Sequence, residues 1–350
     1  MLSELKVKNF TRFREHTFQF SPHLNVFVGE NGVGKSHLMK LLHANLRALC
    51  RAKNSPSDFS KAYLEKTIAQ RLMGVFMPDA LGRLAMRTVG HARAEVEMTI
   101  RSHPPCKLSY HFSTRSEAEV SVEEAPSEAR EIRSVFIPTR EMLSIYPGFT
   151  SIYDSVQIPF EETWRDLADL LGRPLMKGAH SEATKALLEP LERVLNGRVV
   201  AEYGRFYLKT STGKLEAHLL AEGFRKIATL AQLIANGSLT RHSVLFWDEP
   251  EANLNPKLIK LVAQTIAQLS ENMQVFVSTH SLFLLRELYL IDRKSHDNNL
   301  HNYFSMALQE GGSELCVYPS HSLEGLNVLT SLEYQTAQDN ELLELFSHGV

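Results

Sequence analysis

Residues 29–36, Gly-Glu-Asn-Gly-Val-Gly-Lys-Ser, constrain this chain more than any other stretch. They match G-x-x-x-x-G-K-[ST], follow the apolar run Leu24–Val28, and precede a helical pattern predicted from His37 to about Leu49. That strand–loop–helix setting gives the spacing its meaning. Gly32 and Gly34 permit backbone angles and close approaches that a Cβ would block. The loop amides and the helix N-terminus then offer donors to an anion. Lys35 supplies a positive charge for β- and γ-phosphates, and Ser36 a hydroxyl for Mg²⁺. The pattern therefore predicts a phosphate-binding loop built from Glu30, Asn31, Gly32, Val33, Gly34, Lys35, Ser36 and His37. The plain alternative is a glycine-rich turn carrying a surface lysine.

Two later strand ends complete the pattern. Val244-Leu-Phe-Trp-Asp-Glu-Pro250 is an apolar strand closing on two acids. Beside a phosphate loop, Asp248 suits the Mg²⁺ side, and Glu249 suits a general base that orients an attacking water. Alone the pattern is weak, because many strands end in surface acids. His280 follows the apolar run Val275–Val277, where a histidine can contact a γ-phosphate. A lone strand-end histidine is more often structural, and only the order and spacing of the three pieces favour the functional reading.

The rest of the chain reads as strands and helices in mixed order. Leu2–Asn9 and Thr17–Phe20 alternate as strands. A helix is predicted from Lys61 to Met77. Short β-type runs at Glu95–Arg101, Lys107–Ser113 and Val120–Glu123 predict an antiparallel meander. Val135–Pro138 reads as a strand end. Phe160–Leu171 and Glu182–Leu195 have helical spacing, Val199–Ala201 and Arg205–Lys209 read as a hairpin, and Leu219–Ile234 reads as a helix. After the two late strands come helices over Pro256–Leu269 and Ser281–Leu290, then two short strands within Asn302–Val317.

Composition narrows the class. Of 350 residues, 43% are hydrophobic and 22% charged, as in a globular protein. The 38 basic and 40 acidic residues leave a net charge of −2, which excludes a polybasic protein but not a local basic groove. Three separated cysteines form no CxxC pair and no disulfide framework. With no signal-like start and no run of 18 apolar residues, a cytoplasmic protein without a membrane span is expected.

The order of these motifs resembles the ABC-type ATPases, in the branch that contains the SMC proteins, RecF, and the OLD-family and Septu PtuA-like ATPases of phage defence. The resemblance covers nearly the whole chain. Asn9-Phe-Thr-Arg-Phe13 is similar to the family's opening turn near the adenine, which implies a binding role for Arg12. Gly29–Ser36 resembles Walker A, Val244–Glu249 Walker B, Glu251–Pro256 the D-loop, and His280 the switch histidine. The implied fold is α/β: an ABC-type P-loop NTPase head with a mixed central sheet, an antiparallel β subdomain and a helical subdomain. Lobe I is expected over 1–140, the helical subdomain over about 141–235, the Walker B, D-loop and switch region over 236–320, and a tail over 321–350. ATP and Mg²⁺ are the implied cofactors, with Lys35, Glu249 and His280 catalytic and Ser36 and Asp248 on the metal.

Two pieces depart from the family pattern. Leu219-Leu-Ala-Glu-Gly-Phe-Arg-Lys226 stands where L-S-G-G-Q is usual. Gly223 is kept, and with Glu222 is expected to face the nucleotide of a second copy. Ala221 removes a serine hydroxyl, while Glu222 and Arg225 are charged replacements of unassigned role. After Val135–Pro138, Thr139-Arg140-Glu141 replaces the usual Pro-Gln, so Arg140 or Glu141 stands in for the glutamine, or the stretch is a solvated turn.

The resemblance implies a homodimer, or a higher even homo-oligomer, closing around ATP and hydrolysing it slowly. No heptad run lies between Lys35 and Glu222, so coiled-coil arms are not expected. Nor does the stretch after His280 show the carboxylates of a fused nuclease. The leading expectation is a regulatory or sensor ATPase of an antiphage system, controlling a separately encoded nuclease or toxin. A second is a RecF-like repair ATPase that binds DNA through a strip of Arg47, Arg51, Lys53, Lys61 and Lys66, residues that otherwise make a solvated helix face. A third is an ATP-bound scaffold with negligible turnover. The 15 histidines show no zinc spacing, and the HNH-like stretch His296–Asn302 lacks its frame.

Overall fold

A computed structural model describes residues 1–50, 60–86, 90–102, 105–126, 128, 131–176, 181–294, 301–309, 312, 314–326, 338, 340 and 341. At its centre is a six-stranded mixed sheet in the order β14-β13-β3-β12-β11-β7, formed by β3 (Leu24–Gly29), β7 (Arg133–Ile137), β11 (Ser243–Asp248), β12 (Gln274–Thr279), β13 (His301–Leu308) and β14 (Leu315–Ser320). All neighbours pair in parallel except β14, which runs antiparallel to β13. Every residue of β11 and β12 is buried, which is why both read as continuous apolar runs.

The two faces of this sheet carry different side chains. Phe136, Phe246, Phe276, Phe27 and Phe304 make a row across one face; Phe246 stacks on Phe276 with ring centroids 4.9 Å apart. That face packs on α1 (Lys35–Leu49) and on a five-stranded antiparallel sheet. Its order is β2-β1-β4-β5-β6, from β1 (Leu2–Phe10), β2 (Phe13–Gln19), β4 (Arg93–Ile100), β5 (Cys106–Ser113) and β6 (Ser121–Glu124). The expected meander is thus three strands of a larger sheet that the first hairpin completes. α2 (Lys61–Phe76) packs beside α1.

The opposite face, lined by Val26, Val28, Val135, Leu245, Trp247, Val275 and Val277, joins the second core. Here lie α3 (Phe149–Ser155), α4 (Glu162–Leu171), α5 (Glu182–Leu195), α6 (Glu222–Ala235), α7 (Pro256–Ser270) and α8 (Leu282–Lys294). The predicted hairpin is a three-stranded sheet, β8 (Arg198–Glu202), β9 (Arg205–Thr210) and β10 (Gly213–Glu216). The last strand, Gly-Lys-Leu-Glu, is too short and exposed to show a periodic signal. α3 was not legible for the same reason, with Phe149 its one buried residue. Among the described residues no helix is long and apolar enough to cross a membrane.

Several sequence readings fall outside the described residues: the polar stretch 54–58, whose Pro56 predicts a loop, Arg51 and Lys53 of the candidate basic strip, most of the HNH-like stretch, and most of the tail from 327 onward.

Candidate active site

The parallel strands β3, β11 and β12 all end at one edge of the sheet, and the motif residues follow from that. β3 runs into the loop and α1 leaves it, beginning at Lys35 rather than at His37 because Gly34 takes the N-cap with φ +102°. A Cβ on Gly34 would lie 3.1 Å from Phe13, and one on Gly29 would lie 2.1 Å from the Met306 carbonyl oxygen. Gly32 has open space around it but φ +82°, so it is needed for its angle alone. Val33 is buried and anchors the loop, while Glu30, Asn31 and Gly32 are exposed at its rim.

Lys35 is 5% exposed. Its ammonium donates to the Gly29 and Glu30 carbonyls, each at 2.7 Å. Burial pushes its pKa down, against the upward pull of Glu249, Asp248, Glu251 and Glu30. Ser36 Oγ donates to Asp248 Oδ1 at 2.9 Å, and Ser278 Oγ donates to the same oxygen. The hydroxyl and the carboxylate assigned to the metal are therefore adjacent, although 212 residues separate them in sequence.

Glu249 turns the chain out of β11 with a left-handed φ of 46°, costing about 1–3 kcal/mol for a non-glycine residue. Its amide donates to the Ser278 carbonyl at 3.0 Å, and its Oε1 lies 3.1 Å from His280 Nδ1. The structure thus gathers Lys35, Ser36, Asp248, Glu249 and His280 at one strand edge. Arg12 is exposed in the β1–β2 turn, and its charge reaches His37, as does that of Lys40. The His37 ring meets Phe76 edge-on at 5.5 Å.

Glu222 and Gly223 are placed differently. Within this chain they pack on the D-loop segment: Asn253 Nδ2 donates to Glu222 Oε1 at 2.9 Å, and a Cβ on Gly223 would lie 3.0 Å from Leu254. Arg225 has its Nε 2.7 Å from Glu141 Oε1, and Arg140 is exposed. Arg225 of the signature stretch and Glu141 of the stretch after β7 thus form one ion pair.

Sequence reading missed two residues of this edge. Glu251 is 6% exposed; Thr279 Oγ1 donates to its Oε1 at 2.5 Å, Oε2 has no hydrogen-bond partner among the described residues, and burial raises its pKa. Lys226, 3% exposed, sends its ammonium into the D-loop turn. Their signal was present, a glutamate two places after the Walker B acid and a lysine on an apolar helix, but neither type is diagnostic at such a position.

The arrangement fits a magnesium–triphosphate group. A helix N-terminus carries a buried cation whose present partners are only carbonyls, and beside it sits a hydroxyl–carboxylate pair of hard oxygen donors.

Two family models match parts of the chain. Residues 1–137 match the family model described as "AAA ATPase domain", and residues 115–286 match "AAA domain, putative AbiEii toxin, Type IV TA system". The DNA replication and repair protein RecF of Lactobacillus gasseri is 35% identical over 57 residues, 16% of this chain, and its counterpart in Lactobacillus johnsonii matches equally. That stretch spans 15% of the length of those relatives. Among solved structures, the SmcHead bound to the C-winged helix domain of ScpA is 12% identical, with a TM-score of 0.55 over 92% of this chain and 98% of that one. The Smc head domain with an extended coiled coil bound to the C-terminal domain of ScpA, from Pyrococcus furiosus, is 12% identical, with a TM-score of 0.52 over 99% of each chain. The fold is that of these SMC head domains.

Proposed function

We propose that this protein is a magnesium-dependent ATPase of the ABC type that works as a switch: two copies close around ATP, and hydrolysis releases them. The observation that carries the reading is the single edge holding Lys35, Ser36, Asp248, Glu249 and His280. Lys35 and the loop amides would hold the β- and γ-phosphates, and Ser36 and Asp248 would hold Mg²⁺, which neutralises phosphate charge when bound. Glu249 would accept a proton from the attacking water, with His280 fixing its carboxylate. Glu222 and Gly223, lying on the D-loop, would approach the nucleotide held by a second copy.

The biological role we favour is a regulatory or sensor subunit of an antiphage system, acting on a separate nuclease or toxin. What supports it is the toxin–antitoxin wording of the model matched by residues 115–286. A RecF-like, DNA-binding repair ATPase is the second reading, favoured by the short match to RecF. Its basic strip is diminished: Lys61 and Lys66 are exposed, but Arg47 donates to Asp166 at 2.6 Å.

Phosphate release from wild type and Glu249→Gln tests the enzymatic core. Loss of general-base help predicts a drop of about 10²–10⁴-fold. Equal release would leave an ATP-bound scaffold. Salt-dependent DNA affinity would move the role towards repair.

A further inference from the structure

The strained turn after β11 is held from outside its own segment. Its backbone closes where the Ala252 amide donates to the Glu249 carbonyl at 3.1 Å. Lys226, one turn into α6, caps the same turn, donating to the Ala252 carbonyl at 2.8 Å and reaching the Glu249 carbonyl at 3.4 Å. Charge-assisted bonds of this kind are about twice as strong as neutral ones. A buried ammonium would be expensive without such acceptors.

The rest of α6 is fastened at the same place. Glu222 accepts from Asn253, whose own φ is 62°, and Gly223 lies against Leu254. On the neighbouring side Arg225 pairs with Glu141, which also accepts from the Ser144 amide at 3.1 Å. The charged residues of Ala-Glu-Gly-Phe-Arg-Lys are therefore tethers within one chain. Two of them reach the turn that aims Glu249, and one reaches the segment after β7.

From this we infer that Lys226 is a positioning residue: it holds the left-handed turn at Glu249, and so makes the orientation of that carboxylate depend on where α6 and the helical lobe sit. The inference rests on the ATPase reading above. When α6 shifts, the cap leaves with it, the turn loses its second donor, and Glu249 is no longer fixed against His280. ATP binding at the loop does not pass through Lys226 and stays as it was.

Phosphate release and ATP affinity are measured for wild type, Glu249→Gln, Lys226→Met and Lys226→Gln, with folded fraction followed by thermal melting. Lys226→Met is expected to lower kcat at least about tenfold while the Kd for Mg-ATP stays within about threefold, the signature of lost transition-state positioning. Lys226→Gln, whose amide still donates to a carbonyl, is expected to recover part of that loss. Should the Met variant not fold, a smaller kcat drop at constant Kd in Lys226→Gln decides the matter. A wild-type rate in the folded Lys226 variants, while Glu249→Gln is impaired, overturns the inference; so does a loss of ATP affinity equal to the loss of kcat. Wild-type release that Glu249→Gln does not reduce would instead overturn the ATPase reading, a separate failure.

Discussion

Helix α1 carries a polar cluster at each end, and the two are built on opposite terms. At its start, Lys35 and Ser36 face Asp248 and Glu249 at an open strand edge, and the cation's partners are two carbonyls that a stronger acceptor can replace. Towards its end, His43 is fully buried, with Nδ1 2.7 Å from Ser134 Oγ and Nε2 3.1 Å from Asp166 Oδ2. Asp166 also accepts from Arg47 at 2.6 Å and from Arg71 at 3.2 Å, and Arg71 donates to Glu162 at 2.7 Å. Burial works to raise the Asp166 pKa, but the His43 hydrogen bond and the charges of Arg47, His43 and Arg71 outweigh it and hold the carboxyl below its ordinary range. The second cluster joins α1 and α2 to α4. The lesson is that one end leaves charge available for a ligand while the other satisfies charge internally.

The largest expected effect comes from breaking the satisfied end. Asp166→Asn leaves Arg47 and Arg71 without their counter-charge and should destabilise the fold by about 3–5 kcal/mol in denaturant titrations, while Mg-ATP affinity of the folded fraction changes little. A stability loss below 1 kcal/mol would mean the cluster is not the tie described. Breaking the open end should do the reverse. Asp248→Asn is expected to weaken magnesium-dependent ATP binding by about 10–100-fold, read by calorimetry, with a melting temperature close to wild type.

A smaller effect sharpens the contrast through pH. Burial holds the His43 pKa below the ordinary histidine value. The unfolded chain therefore takes up this proton before the folded one does. Stability from this group is whole above about pH 6.5 and declines as pH falls below it. Melting curves from pH 8 to 5 should show that decline in wild type, and His43→Gln should flatten it. The smallest effect belongs to neither cluster: Arg14 and Glu314 pair at 3.4 Å with both side chains more than half exposed, so Arg14→Ala should change stability by less than about 1 kcal/mol in the same melts.

The open end was legible in the sequence, and the closed end was not. Gly29–Ser36, Val244–Glu249 and His280 are contiguous patterns whose strand–loop setting announces their chemistry, and parallel pairing of β3, β12 and β11 brings them together. His43 and Arg47 of α1, Arg71 of α2 and Asp166 of α4 lie far apart in sequence, and only packing reveals that they meet. The same holds for Arg225 with Glu141 and for Lys226 with the Ala252 carbonyl. The short elements α3 and β10 were lost for another reason, having too little buried surface to impose a period.

The central claim is that the loop around Lys35 is a magnesium–ATP site, and isothermal titration of ATP into wild type and Lys35→Ala, with and without Mg²⁺, tests it most directly. The account predicts saturable binding by wild type that weakens when Mg²⁺ is withheld and a loss of at least about tenfold in Lys35→Ala, the cost of one charge-assisted contact. Wild type without magnesium-dependent affinity, or a Lys35→Ala variant that binds as well as wild type, would contradict it.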